Sequence, residues 1–125
     1  MKKSILIFAV AVFCFSCGSQ SGSTDKGTDK KVAADNPDVE KGLNLVAKND
    51  CFGCHKISEA NIGPAYNLIG KKYENTEANI ATLAEKIKNG GSGNWGTVPM
   101  AAHTGLSKED AVLMAKYVLS LKDEK

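Results

Sequence analysis

Residues 51–55 read CFGCH, two cysteines separated by two residues with a histidine directly after the second. Three kinds of site use closely spaced cysteines and histidines in this way: a zinc ion, a redox-active disulfide and a covalently attached haem. They differ in what the rest of the chain must supply. The surroundings of CFGCH therefore decide the fold and the function.

The composition suits one globular domain of near-neutral charge. The chain has 125 residues, of which 42% are apolar, enough for a single core. Its 16 positive residues are all lysines, which argues against a bidentate arginine clamp for phosphate or carboxylate groups. Loss of Lys2 and Lys3 with residues 1–16 would leave 14 lysines against 14 acidic residues. We therefore expect no nucleic-acid partner, because such partners are bound through a basic face.

The N-terminus is predicted to be a signal peptide over residues 1–16. Lys2 and Lys3 precede an apolar run, residues 5–15 (ILIFAVAVFCF), which is shorter than the ~20 residues of a membrane span. Ser16 and Cys17 resemble the lipobox of bacterial lipoproteins, although the two residues before Ser16 do not fit that motif. We expect cleavage before Cys17 and acylation of that cysteine. The alternative is an ordinary secretory signal that leaves Cys17 as a free thiol.

A polar tether and an all-α domain follow. Residues 17–36 are rich in glycine and serine, which predicts a disordered tether, and residues 37–125 form the predicted domain. Apolar residues there recur at helical spacing, and no segment has a convincing strand pattern. Four short helices are expected: one from the Asn36 cap to CFGCH, one near 65–73, one near 76–89 and one after the Ser107 cap.

These short helices can bury only a modest core, so something else must fill the centre of the domain. The Cys-x-x-Cys-His pattern suits c-type haem, because two thiols add to the porphyrin vinyl groups and the histidine binds the iron. Zinc would need four ligands, and the domain offers only Cys51, Cys54, His55 and the distant His103. A thioredoxin-like cysteine pair would need a βαβ context that is missing. The pattern therefore favours haem.

Three motifs in order resemble a known family, the small monohaem class I cytochromes c of bacteria. They are CFGCH (51–55), IGPAYNLIGKKY (62–73) and GSGNWGTVPM (91–100), and the resemblance extends over about residues 38–122. It implies a class I cytochrome c fold, in which about four short helices surround one covalently bound haem c. It also implies electron transfer rather than enzymatic catalysis.

The resemblance assigns a role to each site residue. Cys51 and Cys54 are expected to form the thioethers, and His55 to bind the iron on the proximal side. The carbonyl of Pro64 is expected to accept a hydrogen bond from the other ring nitrogen of His55, which fixes the tautomer. Met100 matches the distal thioether ligand, and a sulfur ligand raises the reduction potential.

Other residues have weaker assignments. The indole N–H of Trp95 is expected to donate to a haem propionate, or else the ring only packs on the porphyrin. His103 is a possible alternative sixth ligand, but we interpret it as an exposed loop residue, and Met114 as packing. Gly42 and Tyr117 are predicted to lie where the first and last helices cross. Lys71 and Lys72 are interpreted as a solvated helix face, with a docking role as the alternative.

The sequence thus predicts a monomeric, lipid-anchored monohaem cytochrome c on the periplasmic or outer side of a bacterial membrane. It would pass single electrons between redox protein partners of a respiratory chain, with no small-molecule substrate. Two alternatives remain: a haem enzyme or gas-binding domain in which Met100 binds the iron weakly, and an electron-entry module of an oxidase or reductase complex.

Overall fold

The computed structural model describes residues 36–125. The predicted signal peptide, Cys17 and nearly all of the predicted tether lie outside these residues. Within the described part of the chain, no helix combines the length and the apolar character that crossing a membrane requires.

Four α-helices make up most of the domain, which confirms the predicted all-α class. A single 3₁₀ turn lies between the first two helices. The helices are α1 (Pro37–Lys48), α2 (Tyr66–Lys72), α3 (Glu77–Asn89) and α4 (Lys108–Ser120), and the 3₁₀ turn is Cys51–Gly53. The helices begin and end close to where the sequence predicted.

Side-chain caps explain where three of the helices begin. The Asn36 side chain accepts a hydrogen bond from the Asp38 amide at 3.0 Å, and Ser107 Oγ accepts one from the Asp110 amide at 3.0 Å. Thr76 Oγ1 accepts a hydrogen bond from the Asn79 amide at 3.3 Å. Each cap satisfies a backbone N–H that has no partner within its helix and typically stabilises the helix by about 1 kcal/mol.

The core is centred on α4, which packs against the other three helices. Met114 and Leu119 of α4 and Val46 of α1 are each only 1% exposed. At the crossing of α1 and α4, a Cβ atom added to Gly42 would clash with the Leu113 carbonyl oxygen and lie 2.8 Å from Tyr117 Cβ. The predicted role of Gly42 in close helix packing is therefore confirmed.

An ion pair joins α1 and α4 at the surface. Lys116 Nζ lies 2.8 Å from Asp38 Oδ2. The hydrogen bond from Lys116, and secondarily its charge, lower the pKa of Asp38, and the reciprocal contact raises the pKa of Lys116. Both side chains are solvated, so screening keeps the contribution of this pair to stability small.

A β-hairpin corrects the expectation that no segment of the domain forms a strand. Strands β1 (Gly91–Gly93) and β2 (Gly96–Met100) pair antiparallel, with Gly91 opposite Met100 and Gly93 opposite Gly96. Gly90, Gly91, Gly93 and Gly96 all have positive φ. Glycine reaches these conformations without strain, so the backbone can turn and pair although β1 offers no apolar side chain to signal a strand.

Candidate functional site

A cavity of about 350 Å³ lies between the helices and the hairpin. Apolar side chains from α1, α2, α3 and α4 form much of its wall: Val46, Ile69, Leu83, Ile87, Met114 and Val118. Five of the six predicted site residues also line it: Cys51, His55, Pro64, Trp95 and Met100. The sixth, Cys54, is exposed and is not among the lining residues.

The CFGCH segment forms a tight turn that starts from a left-handed residue. Asp50 has φ 56°, and its carbonyl accepts a hydrogen bond from the Gly53 amide at 3.0 Å. The His55 amide donates to the Cys51 carbonyl at 2.9 Å, which closes the turn. These backbone bonds leave Cys51 half-buried at the cavity and direct His55 into it.

The two cysteines do not form a disulfide with each other in the described structure. Burial raises the pKa of the Cys51 thiol, and the charge of Asp50 adds to the rise, against the opposing effect of nearby hydrogen bonds. Reactive redox cysteines have a lowered pKa, because the thiolate is the nucleophile. Burial of Cys51 therefore disfavours the thiolate form that a reactive redox cysteine needs.

His55 is fixed by three neighbours. Its Nδ1 lies 2.8 Å from the Pro64 carbonyl oxygen, so Nδ1 carries the proton and donates it, and Nε2 keeps a free lone pair. The Tyr66 ring stacks on the imidazole at 5.2 Å between centroids and 12° between planes. A Cβ added at Gly63 would lie 2.8 Å from His55 Nδ1. The imidazole is thus oriented as a ligand with one nitrogen available.

Sequence reasoning missed Gly63 and Tyr66 as supports of His55. The resemblance assigned a role to the Pro64 carbonyl but none to Gly63 or Tyr66. Burial, followed by the nearby Cys51, raises the pKa of Tyr66, which keeps the phenol neutral. The signal in the sequence was Gly63, which allows another group to approach the backbone closely. Pro64 follows it directly, and the aromatic residue Tyr66 comes two positions after Pro64.

Met100 lies at the end of β2, half-buried, and lines the same cavity as His55. The chain just after it runs close to the end of α3. The His103 amide donates to the Lys88 carbonyl at 3.1 Å, and a Cβ at Gly90 would lie 2.8 Å from the Ala102 nitrogen. The C-terminal end of α3 therefore supports the segment that carries Met100.

The two residues that compete with Met100 have different surroundings. His103 is half-buried rather than exposed, which corrects the expectation of an exposed loop histidine, and it does not line the cavity. Its Nδ1 is buried and has no hydrogen-bond partner among the described residues. Met114 lines the cavity but also belongs to the buried core cluster of α1, α2 and α4.

Trp95 lies in the turn between β1 and β2 and is 42% exposed. One part of its ring lines the cavity, and Lys72 Nζ stands 4.4 Å from the ring centroid. The indole thus connects the cavity to α2 and to solvent.

The chemistry of these residues fits a covalently attached haem. The cavity wall is mainly apolar, as a flat hydrophobic ring requires. His55 offers a free Nε2, Met100 a thioether sulfur, and the CFGCH turn two thiols that are free to form thioether bonds.

Comparisons with known proteins agree with this site. The cytochrome c family model matches residues 39–122. Cytochrome c-552 of Nitrosomonas europaea is 39% identical over 84 residues, which are 67% of this chain and 82% of that protein. Cytochrome c-551 of Pseudomonas aeruginosa is 37% identical over 89 residues, covering 71% of this chain and 80% of that protein. The chain therefore belongs to the cytochrome c family.

A solved structure shares the fold. The crystal structure of wild-type Nitrosomonas europaea cytochrome c552 superposes with a TM-score of 0.59 at 38% identity, covering 63% of this chain and 98% of that chain. The protein is thus a small monohaem class I cytochrome c, and it carries one covalently attached haem c with its iron. The predicted cofactor is confirmed, and the chain transfers electrons by its c-type haem together with redox protein partners.

Proposed function

We propose that this protein is a single-electron carrier whose iron is held by His55 and Met100, with thioether bonds to Cys51 and Cys54. The observation that supports this assignment best is that His55, with Nδ1 committed to Pro64, and Met100 line one apolar cavity. When bound, the haem supplies a one-electron couple between ferrous and ferric iron. Pro64 keeps His55 in the tautomer that binds metal, and Trp95 donates its indole N–H to a propionate.

Two protein ligands favour a carrier over an enzyme. With Nε2 of His55 and the Met100 sulfur both engaged, no position is free for a substrate, and a change of oxidation state needs little rearrangement. The mainly apolar wall suits the porphyrin ring, and the thioether favours the ferrous state. The proposed activity therefore involves redox protein partners and no small-molecule substrate.

The location is proposed from the sequence. A signal peptide over residues 1–16 would export the chain, and a lipid on Cys17 would anchor it to the outer side of a bacterial membrane, where it would serve a respiratory chain as a monomer. Replacement Cys17→Ser should then release the protein from the membrane fraction without changing its haem spectrum. Recovery of the unsubstituted protein as a soluble, unacylated form would contradict the anchor.

The axial ligands are tested by Met100→Ala. A thioether bound to ferric iron gives a weak long-wavelength charge-transfer band, so we expect the oxidised protein to show the band and the variant to lose it. The haem should stay covalently attached, the reduction potential should fall, and the ferrous variant should bind carbon monoxide readily.

Two control variants make this test specific. Met114→Leu and His103→Ala should both keep the band, because neither residue is the proposed ligand. If the unsubstituted protein lacks the band and takes up carbon monoxide readily, the distal position is open. A catalytic or gas-binding role would then replace the carrier role.

A further inference from the structure

The hairpin that carries Met100 has little support from the core. Every described residue of β1 and β2 is exposed except Met100 itself, which is half-buried, and Val98 is 62% exposed. A two-stranded hairpin with no buried face is only marginally stable in water. Contacts between the hairpin and the rest of the domain must therefore hold it in place.

Three such contacts meet at the turn of the hairpin, and they come from Lys72 at the end of α2 and from Tyr73 just after it. Lys72 Nζ donates a hydrogen bond to the Asn94 carbonyl at 3.0 Å and lies 4.4 Å from the centroid of the Trp95 ring. The Asn94 side-chain amide donates to Tyr73 Oη at 3.4 Å. A single ammonium group thus combines a charge-assisted hydrogen bond with a cation–π contact.

The other end of the hairpin is supported separately. Gly91 pairs with Met100, and the chain just beyond Met100 lies against Gly90 at the end of α3. Strand β2 runs without interruption from the turn to Met100. A displacement of the turn would therefore reach Met100 through a continuous strand.

We propose that Lys72 is a positioning residue for Met100: it fixes the Asn94–Trp95 turn against α2 and so slows the separation of Met100 from the iron. This inference rests on the proposed ligation by Met100. It also distinguishes two adjacent lysines that the sequence could not separate. Both are exposed, but among the described residues the Lys71 side chain makes no hydrogen bond, ion pair or aromatic contact. The Lys72 side chain contacts both the Asn94 carbonyl and the Trp95 ring.

The adjacent lysines provide a matched test in the haem-loaded protein. Lys72→Met and Lys71→Met remove the same charge from the same short helix, so their general electrostatic effects on the haem are similar. Lys72→Arg keeps a side chain that can donate the hydrogen bond to Asn94 and that carries the positive charge near the Trp95 ring. The first measurement is the rate at which the ferric protein takes up added imidazole, which requires Met100 to leave the iron. The second is amide hydrogen exchange at Thr97 and Val98 in the ferrous protein.

We expect Lys72→Met to accelerate both imidazole uptake and hairpin amide exchange by about fivefold, on the order of one charge-assisted contact. Lys71→Met should stay within about twofold of the unsubstituted protein, as exposed substitutions usually do. Lys72→Arg should restore the unsubstituted rates. These three results together would support the proposal.

Equal rates in Lys72→Met and Lys71→Met would overturn it. So would faster amide exchange without faster imidazole uptake, because the contact would then stabilise the hairpin without positioning Met100. The charge-transfer band of the unsubstituted protein separates this failure from failure of the proposed function. If that band is absent, Met100 is not the ligand, and Lys72 cannot position it. If the band is present, the results for the lysine variants test only the role of Lys72.

Discussion

The crossing of α1 and α4 and the hairpin at residues 91–100 are stabilised by different kinds of contact. At the crossing, side chains such as Val46 and Met114 are buried in the core cluster, and Gly42 brings the two backbones together. In the hairpin, side chains such as Val98 face solvent, and a few polar contacts at the turn connect it to α2. The energy of apolar packing is distributed over many atoms, whereas loss of one polar contact at the turn removes a large share of what holds the hairpin.

The proposed ligands therefore have unequal supports. His55 lies in a tight turn, donates to Pro64 and stacks on the buried ring of Tyr66. Met100 lies on an exposed hairpin whose turn is contacted by Lys72 and Tyr73. We expect the methionine side of the iron to open more readily than the histidine side. The predictions below test the stability of the crossing, and the Gly42 experiment also follows the hairpin.

The largest effect is expected when both attachment points are removed. The double substitution Cys51→Ser and Cys54→Ser should abolish covalent haem retention, because no thiol remains for a thioether bond. The cavity of about 350 Å³ would lose the ligand that binds only the native state, so the apo-protein should be largely unfolded. Haem staining on a denaturing gel and circular dichroism would measure the two results.

Each single serine variant serves as the control for this experiment. One thioether would remain, so part of the haem should stay attached and the fold should persist. A cooperative, native-like melting transition in the haem-free double variant would contradict this expectation. It would show that the crossing of α1 and α4 is stable without haem, and that it exceeds the hairpin in stability by more than we propose.

An intermediate effect is expected at Gly42. Alanine in a helix normally stabilises it by about 0.5–1 kcal/mol relative to glycine, but here the new Cβ would clash with the Leu113 carbonyl and Tyr117. We expect the free energy of unfolding to fall by about 1–3 kcal/mol, as measured by denaturant titration. Amide exchange in the hairpin below the unfolding transition should stay unchanged.

Gly105→Ala, in a turn, is the control for an added methyl group that meets no neighbour. No atom outside its chain neighbours lies within 4 Å of a Cβ added there, so the free energy of unfolding should change by less than about 0.5 kcal/mol. Equal effects at the two glycines would mean that close packing of α1 on α4 is not what makes this crossing stable.

The smallest effect is expected at the surface of the crossing. Lys116 lowers the pKa of Asp38, so the folded state favours the ionised carboxylate. This contribution is present above the ordinary aspartate pKa of about 4 and is lost as the pH falls through the lower folded value. Asp38→Asn should therefore lower Tm at pH 7 by no more than about 2 °C, and the difference should vanish in acid.

Glu40→Gln is the control for Asp38→Asn, because Glu40 is also an exposed acid in the first turn of α1. It should lower Tm less than Asp38→Asn at pH 7. A difference between Asp38→Asn and the unsubstituted protein that persists unchanged from pH 7 to strongly acidic solution would exclude the ion pair as its cause.

The helices were predictable because their signals are local. Asn36, Thr76 and Ser107 each accept a hydrogen bond from a backbone amide two or three residues away. Each cap can therefore be identified from a few neighbouring residues of the sequence. The CFGCH motif is equally local. It led to the haem, which family membership confirms, while the individual roles of the site residues stay predictions.

The hairpin and the supports of the site were not predictable in the same way. Strand β1 consists of glycine and serine, so no alternation of apolar and polar side chains marks it. The contact of Lys72 with Asn94 joins residues 22 positions apart, and nothing in the sequence near Lys71 and Lys72 tells one from the other. Such contacts depend on how the elements are placed in space.

The hydrogen bond between His55 and Pro64 also has a consequence for the order of folding. It joins residues only nine positions apart, whereas the contact of Asp38 with Lys116 joins residues 78 apart. A loop of about ten residues closes within roughly 10–100 ns, while distant contacts wait for the whole chain to become compact. We therefore expect the imidazole to acquire its native orientation early, before the terminal helices meet. The Nε2 atom of His55 would then be correctly oriented before the remaining helices pack.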